Sequence, residues 1–188
     1  MSEESNTYRY IDELLPEHGY MLQSFECTDC LCNNSNHFTE YLKWSALSDS
    51  ASGNGKTFAM FECEDGDIKR IIGFITLKST SFITSFDRMN VMNGEPAMEI
   101  AELAVDKNYI RQGIGDALLM HAFSIAHTIR AEYVGVTRIV VCATKESVDF
   151  YSKKKYGFKK ISDTYEIPRS IDNENCIGMS VRLKPIPR

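Results

Sequence analysis

Residues 108–119 read NYIRQGIGDALL, with Gly113 and Gly115 standing where an apolar helix should begin. Glycine costs roughly 1 kcal/mol against alanine inside a helix, so the pair must serve another need. Bare backbone N–H groups at a helix N-terminus make a cradle for a phosphate, and a side chain at either glycine would hold the phosphate off. The reading of the chain turns on whether its surroundings support such a cradle.

Downstream, residues 113–133 stack Ile114, Leu118, Ala122, Ile125 and Ile129 on one helical face. Upstream, AMEIAELAV (97–105) reads as a strand. TRIVVCAT (137–144) reads as a buried strand, KESVDFYSKK (145–154) as a short helix, and YGFKKI with IGMSVRL (177–183) as a closing strand pair. Nearer the start, residues 36–48 place Phe38, Tyr41, Leu42 and Ala46 at helical spacing, with Asn36 as N-cap. SDSASGNG (48–55) reads as a loop. KTFAMFEC (56–63) and IKRIIGFITLKS (68–79) read as a hairpin across EDGD, and FDRMNVMNGEP (86–96) as a loop. There is no internal repeat, and the chain reads as a single α/β domain over 1–188.

Composition narrows the class. At 188 residues, 43% hydrophobic and 25% charged, the chain can bury a full core. No apolar run approaches the roughly 20 residues of a membrane helix. The polar, acidic MSEESNTYRY does not resemble a signal peptide, so a cytoplasmic, membrane-free protein is expected. A net charge of −5 argues against a broad nucleic-acid surface, with SKKKYGFKK (152–160) the one dense basic strip. The six cysteines are expected as reduced thiols. Cys27 and Cys30 have CxxC spacing and Cys32 follows, but a second pair is missing, although His37 or Cys63 could complete a zinc set. No metal is expected. His121 and His127, six residues apart, do not share a helix face.

Two familiar phosphate motifs fail. Gly55-Lys56-Thr57 matches the end of a P-loop, but Ser50 stands at its first glycine, and the helix precedes where a strand should. A dinucleotide fingerprint from Gly113 would need its third glycine at Leu118. The element order is the stronger signal. Strand, glycine turn, long helix, strand and the Phe150-Tyr151…Gly157-Phe158 segment resemble the GNAT N-acetyltransferase superfamily, whose Q/R-x-x-G-x-G/A signature Gly113 and Gly115 match. Ile110 takes the Q/R position, and the interval from Tyr151 to Gly157 is longer than usual. The likeness covers most of residues 56–162.

This resemblance implies an α/β fold with a central mixed, mostly antiparallel sheet flanked by helices and splayed around coenzyme A. It implies acetyl-CoA as cosubstrate, its pyrophosphate on Arg111, Gln112, Gly113, Ile114, Gly115, Asp116 and Ala117, and its pantetheine arm along Leu103, Ala104 and Val105. Acetyl transfer to an amine needs a base for the amine, N–H donors for the oxyanion and an acid for the thiolate. The resemblance gives Tyr151 as the acid and Glu99 as the matching base position, with Glu102 the other carboxylate on that strand. Trp44 and Tyr41 fall in a region that often walls the acceptor pocket in this superfamily. The expected acceptor is a primary amine on a small molecule or peptide, and the protein a monomer or homodimer. The FEC-helix start, GKTFAMFE, IIGFITL and ELAVDKNYIRQGIGDALL also resemble the toxin-type branch that acetylates aminoacyl-tRNA, so tRNA stands as the second acceptor. A non-catalytic acyl-CoA-binding module is the remaining alternative.

Overall fold

The computed structural model describes residues 6–27, 36–86, 92–161 and 176–184. Its strands are β1 (Thr7–Glu13), β2 (Lys56–Glu64), β3 (Asp67–Phe86), β4 (Met92–Val105), β5 (Arg138–Thr144), β6 (Lys159–Lys160) and β7 (Cys176–Arg182). They follow one another in a sheet of order β1-β2-β3-β4-β5-β7-β6. The helices are α1 (His37–Glu40), α2 (Ala46–Ser52), α3 (Ile114–Glu132) and α4 (Val148–Tyr151), with a 3-10 helix over Pro16–Ser24. A π-helical turn, Tyr41–Ser45, joins α1 to α2. Among the described residues, no helix is long and apolar enough to cross a membrane.

Most of residues 6–76 and 102–121 form one compact unit. Its hairpin closes through Asp65 (φ 52°) and Gly66 (φ 91°), the two positive-φ positions of a type I′ turn, which matches the twist of the strands it joins. β1 pairs antiparallel with β2, from Thr7 opposite Glu64 to Glu13 opposite Phe58. The core gathers Leu14, Met21, Leu22, Phe25, Leu42, Ala46, Phe61, Ile71 and Phe74. The expected helix over 36–48 runs on to Ser52, and Gly53 caps it in the left-handed region (φ 77°). The run read as a loop is therefore partly helix, because a C-terminal glycine cap tolerates small polar residues before it.

Gly73 is the tightest backbone position here. A Cβ on it would stand 2.7 Å from Ile114 Cγ2 and 3.2 Å from the Ala104 carbonyl oxygen. Glycine thus lets β3 lie against the start of α3. Gly73→Ala is expected to destabilise the protein by about 1–3 kcal/mol, the usual cost of overpacking, although alanine is the better strand residue. Urea denaturation measures it.

The second unit takes residues 77–86, 92–101, 122–161 and 176–184 among those described. β4 and β5 pair in parallel from Ala97–Arg138 to Ile100–Val141, although β4 continues to Val105 and β5 to Thr144. β5 pairs antiparallel with β7, and β7 with β6. Residues 92–96, expected in a loop, are strand: Pro96 donates no hydrogen bond, but its carbonyl accepts one from Thr137 N at 2.9 Å. Glu95 accepts from Arg138, Thr137 and Arg182. Burial would push its carboxyl up, but these bonds hold it below the usual range.

One cysteine expectation is overturned. Cys142 and Cys176 form a disulfide. Cys142 faces Gly178 and Thr144 faces Cys176, so the two cysteines stand diagonally on neighbouring strands with Cα atoms 5.4 Å apart, within disulfide reach. Cys27 and Cys63 are not disulfide-bonded. Cys30 and Cys32 lie outside the described residues.

Candidate functional site

The turn before α3 is organised by Asp106, which follows β4 and is buried. Its carboxylate accepts from Glu26 N at 3.1 Å and from Asn108 N and Nδ2 at 2.9 and 3.0 Å, and its carbonyl accepts from Tyr109 N. Lys107 N donates to the Glu26 carbonyl at 2.7 Å, and its ammonium pairs with the Glu26 carboxylate. Four backbone amides, those of Glu26, Lys107, Asn108 and Tyr109, and one side-chain amide are thereby satisfied, which fixes the chain direction into the glycines.

From there the backbone takes two left-handed steps, Arg111 at φ 61° and Gly113 at φ 81°. The first is rare for a residue with a side chain. The second explains Gly113 by conformation, and the space where its Cβ would stand is open. Ala117 N donates to the Gly113 carbonyl at 3.0 Å, so the amides of Ile114, Gly115 and Asp116 precede the first intrahelical bond of α3. Gly115 lies within α3 and has no positive φ. Its glycine identity is not a demand of backbone angle, unlike that of Gly113. Ile114 anchors the turn in the core, Ala117 is half-buried, and Arg111 is exposed.

A polar bracket holds the outer edge of the turn. Glu62, on β2, accepts from Arg9 Nε and Nη2 at 3.2 and 3.0 Å and from the Tyr109 hydroxyl. Arg9 Nη2 also donates to Gln112 Oε1 at 3.1 Å, and its guanidinium lies 5.4 Å from the Tyr109 ring centre. Burial, and then the bond to Glu62, push the Tyr109 hydroxyl above its ordinary range. It therefore remains a donor at neutral pH, and its contribution is lost only as pH climbs past about 10, where the unfolded chain ionises. Tyr109→Phe is expected to cost about 1–3 kcal/mol, the value of a hydrogen bond to a charged partner, read as a lowered urea midpoint.

At the end of β4, Glu102 and Ala104 are buried while Leu103 and Val105 are half-buried, the period-two alternation of a strand. Glu102 faces His37, whose Nε2 lies 3.2 Å from both carboxylate oxygens. His37, weighed from sequence only as a zinc ligand, thus meets a carboxylate. Among the described residues no three His, Cys, Asp or Glu side chains gather as metal ligands. Glu99, also buried, sits in the part of β4 that pairs with β5, opposite Val140. His121 stacks edge-on to Phe58 at 4.9 Å; burial pushes its pKa down, so it is a neutral packing residue. His127 is exposed on the same helix. Tyr41 is packed against Phe74 and donates to Asp49 at 3.0 Å, whereas Trp44 is exposed.

In the second unit Tyr151 ends α4 and is buried, its ring 5.0 Å from Phe150 and 5.4 Å from Phe158. The long interval to Gly157 is taken up by a turn in which Tyr156 N and Gly157 N both donate to the Lys153 carbonyl, with Gly157 at φ 75°. Two lysines of the basic strip lie over aromatic rings, Lys153 on Phe150 at 4.9 Å and Lys155 on Tyr156 at 4.7 Å.

Sequence reasoning named the glycine turn, Glu99, Glu102 and Tyr151, and it passed over Arg9, Glu62, Asp106 and the pairing of His37. Each of these acts on a partner far along the chain, so no local pattern marks it.

The model of the acetyltransferase (GNAT) family matches residues 20–158. Among solved structures, a tyrosine-to-phenylalanine mutant of the toxin AtaT bound to the C-terminus of the antitoxin AtaR is 19% identical, with a TM-score of 0.69 over 93% of this chain and 92% of that one. AtaT complexed with acetyl-methionyl-tRNAfMet is 18% identical, with a TM-score of 0.69 over 91% and 94%. The KacTA–DNA complex gives 21% identity and 0.67 over 93% of each chain. At these identities the likeness to the solved structures is one of fold.

Proposed function

The chain belongs to the GNAT acetyltransferase family, and on that premise we propose that it transfers an acetyl group from acetyl-CoA to a primary amine. The observation that carries this reading is the turn into α3. Its left-handed Gly113, the open space beside it and the first-turn amides of a 19-residue helix offer donors and a positive dipole end to a diphosphate. Arg111, Gln112, Gly113, Ile114, Gly115, Asp116 and Ala117 bind it, and Leu103, Ala104 and Val105 hold the pantetheine arm by backbone pairing. Acetyl-CoA supplies an activated thioester. A backbone N–H near Leu103 stabilises the oxyanion, and Tyr151 gives its hydroxyl proton to the departing sulfur.

The acceptor divides the reading in two. Net charge −5 gives a polyanion little long-range attraction, and Lys153 and Lys155 are packed on rings, which favours a small-molecule or peptide amine. The likeness in fold to AtaT, solved with acetyl-methionyl-tRNAfMet, favours the amino group of an aminoacyl-tRNA. The deciding experiment incubates the purified protein and acetyl-CoA with methionyl-tRNA, spermidine, an amino sugar and a lysine peptide, with mass spectrometry of the products. Acetylation of any of them supports the enzyme, and the fastest names the acceptor class. Binding of acetyl-CoA with no transfer to any would leave a binding module.

A further inference from the structure

Gln112 stands between two left-handed residues, Arg111 at φ 61° and Gly113 at φ 81°. Such a backbone is costly for a residue with a side chain and persists only where its surroundings fix it. Part of the fixing comes from the far end of the sequence. Arg9, on β1 and 103 residues away, donates from Nη2 to Gln112 Oε1 at 3.1 Å. Gln112 Nε2 in turn donates to the Asn108 carbonyl at 3.4 Å.

These two bonds decide which way the amide points. A guanidinium only donates, so the Gln112 atom facing it must be the oxygen. A carbonyl only accepts, so the atom facing Asn108 must be the nitrogen. The oxygen is thereby committed to a cation, and the second N–H of Nε2 has no partner among the described residues. An amide free to rotate would also present its oxygen, which repels an anion.

Arg9 is itself held in place. Its Nε and Nη2 both reach Glu62 Oε1, and the Glu62 side chain is 14% exposed against 35% for Arg9. Arg70 Nε lies 3.8 Å from the other Glu62 oxygen, to which the Tyr109 hydroxyl donates. Two guanidinium charges thus face one carboxylate, so Glu62 can brace the turn without repelling an anion bound there. All of these residues belong to one compact unit. Arg9 precedes the residues that the family model matches.

Resting on the acetyl-CoA reading above, we propose that Arg9 is a positioning residue of the diphosphate site. It holds the Gln112 amide so that an N–H, and not the oxygen, is offered to the diphosphate, and Glu62 holds Arg9.

The test titrates the full chain with acetyl-CoA by calorimetry, with thermal melting beside it. Gln112→Ala and Arg9→Ala are each expected to weaken acetyl-CoA binding about tenfold, the scale of one hydrogen bond to a charged group. The double variant should lose no more than either alone, because both changes remove the same contact. Arg9→Lys keeps a cation beside Glu62, but its single ammonium lacks the planar fork that spans Glu62 and Gln112. It is expected to melt as the wild type does and still to lose affinity as Arg9→Ala does. Should Arg9→Ala not fold, Arg9→Lys takes its place, alone and in the double variant. Wild-type affinity in Gln112→Ala or in a folded Arg9 variant, or losses that add in the double variant, overturns the positioning role and leaves acetyl-CoA binding standing. A wild type that does not bind acetyl-CoA overturns both.

Discussion

Tyr151→Phe is expected to slow acetyl transfer by about 10²–10⁴-fold, the range for loss of a general acid. The phenol ring is buried between Phe150 and Phe158, so phenylalanine keeps the packing volume and removes one oxygen. Acetyl-CoA affinity should change little, because the proposed diphosphate and pantetheine contacts belong to the glycine turn and β4. A thiol with a free pKa of about 8.5 leaves more readily when protonated as the bond breaks, so the loss should appear in kcat and not in KM. Stopped-flow or single-turnover measurement with a saturating acceptor checks it. Wild-type turnover in a folded variant would reduce Tyr151 to a packing residue.

Gly115→Glu is expected to weaken acetyl-CoA binding by about 10²-fold while sparing the fold. The position is helical, with no positive φ, so the substitution asks for no strained backbone, and glutamate is the better helix former. A carboxylate in the first turn also suits the dipole, by about 0.3–1 kcal/mol. The same charge repels the diphosphate and fills the approach to the amides. Helix stability and ligand affinity should therefore move in opposite directions, a signature that general unfolding cannot imitate. Calorimetric titration beside thermal melting separates the two, and unchanged affinity would move the diphosphate site elsewhere.

Local signals were legible in the sequence and long-range ones were not. Asp65-Gly66 announced its hairpin because a type I′ turn demands those residue types. Ile114, Leu118 and Ala122 announced α3 because 3.6-residue spacing is written in the chain itself. β1 escaped notice because it is a largely exposed strand whose burial varies little along its length. The 3-10 helix at Pro16–Ser24 buries only Met21 and Leu22, too few for a pattern. The disulfide went unread because Cys142 and Cys176 lie 34 residues apart and only the β5–β7 register aligns them. The site divides in the same way. The glycines of the candidate site were named from local spacing, whereas the Arg9–Glu62–Tyr109 bracket and the His37–Glu102 pair join residues separated by 47 to 65 positions.

The short parallel register between β4 and β5 bears on how the protein reaches its native state. Ala97 and Arg138 pair only after the intervening chain, glycine turn and α3 included, has crossed over. Non-local parallel pairing repays its loop-closure entropy late and slows folding, whereas the β2–β3 hairpin closes through two residues. The refolding rate should therefore respond to the crossover more than to the hairpin. Gly113 stands in that crossover in a left-handed turn, so a change there should touch the kinetics of assembly as well as the proposed diphosphate site.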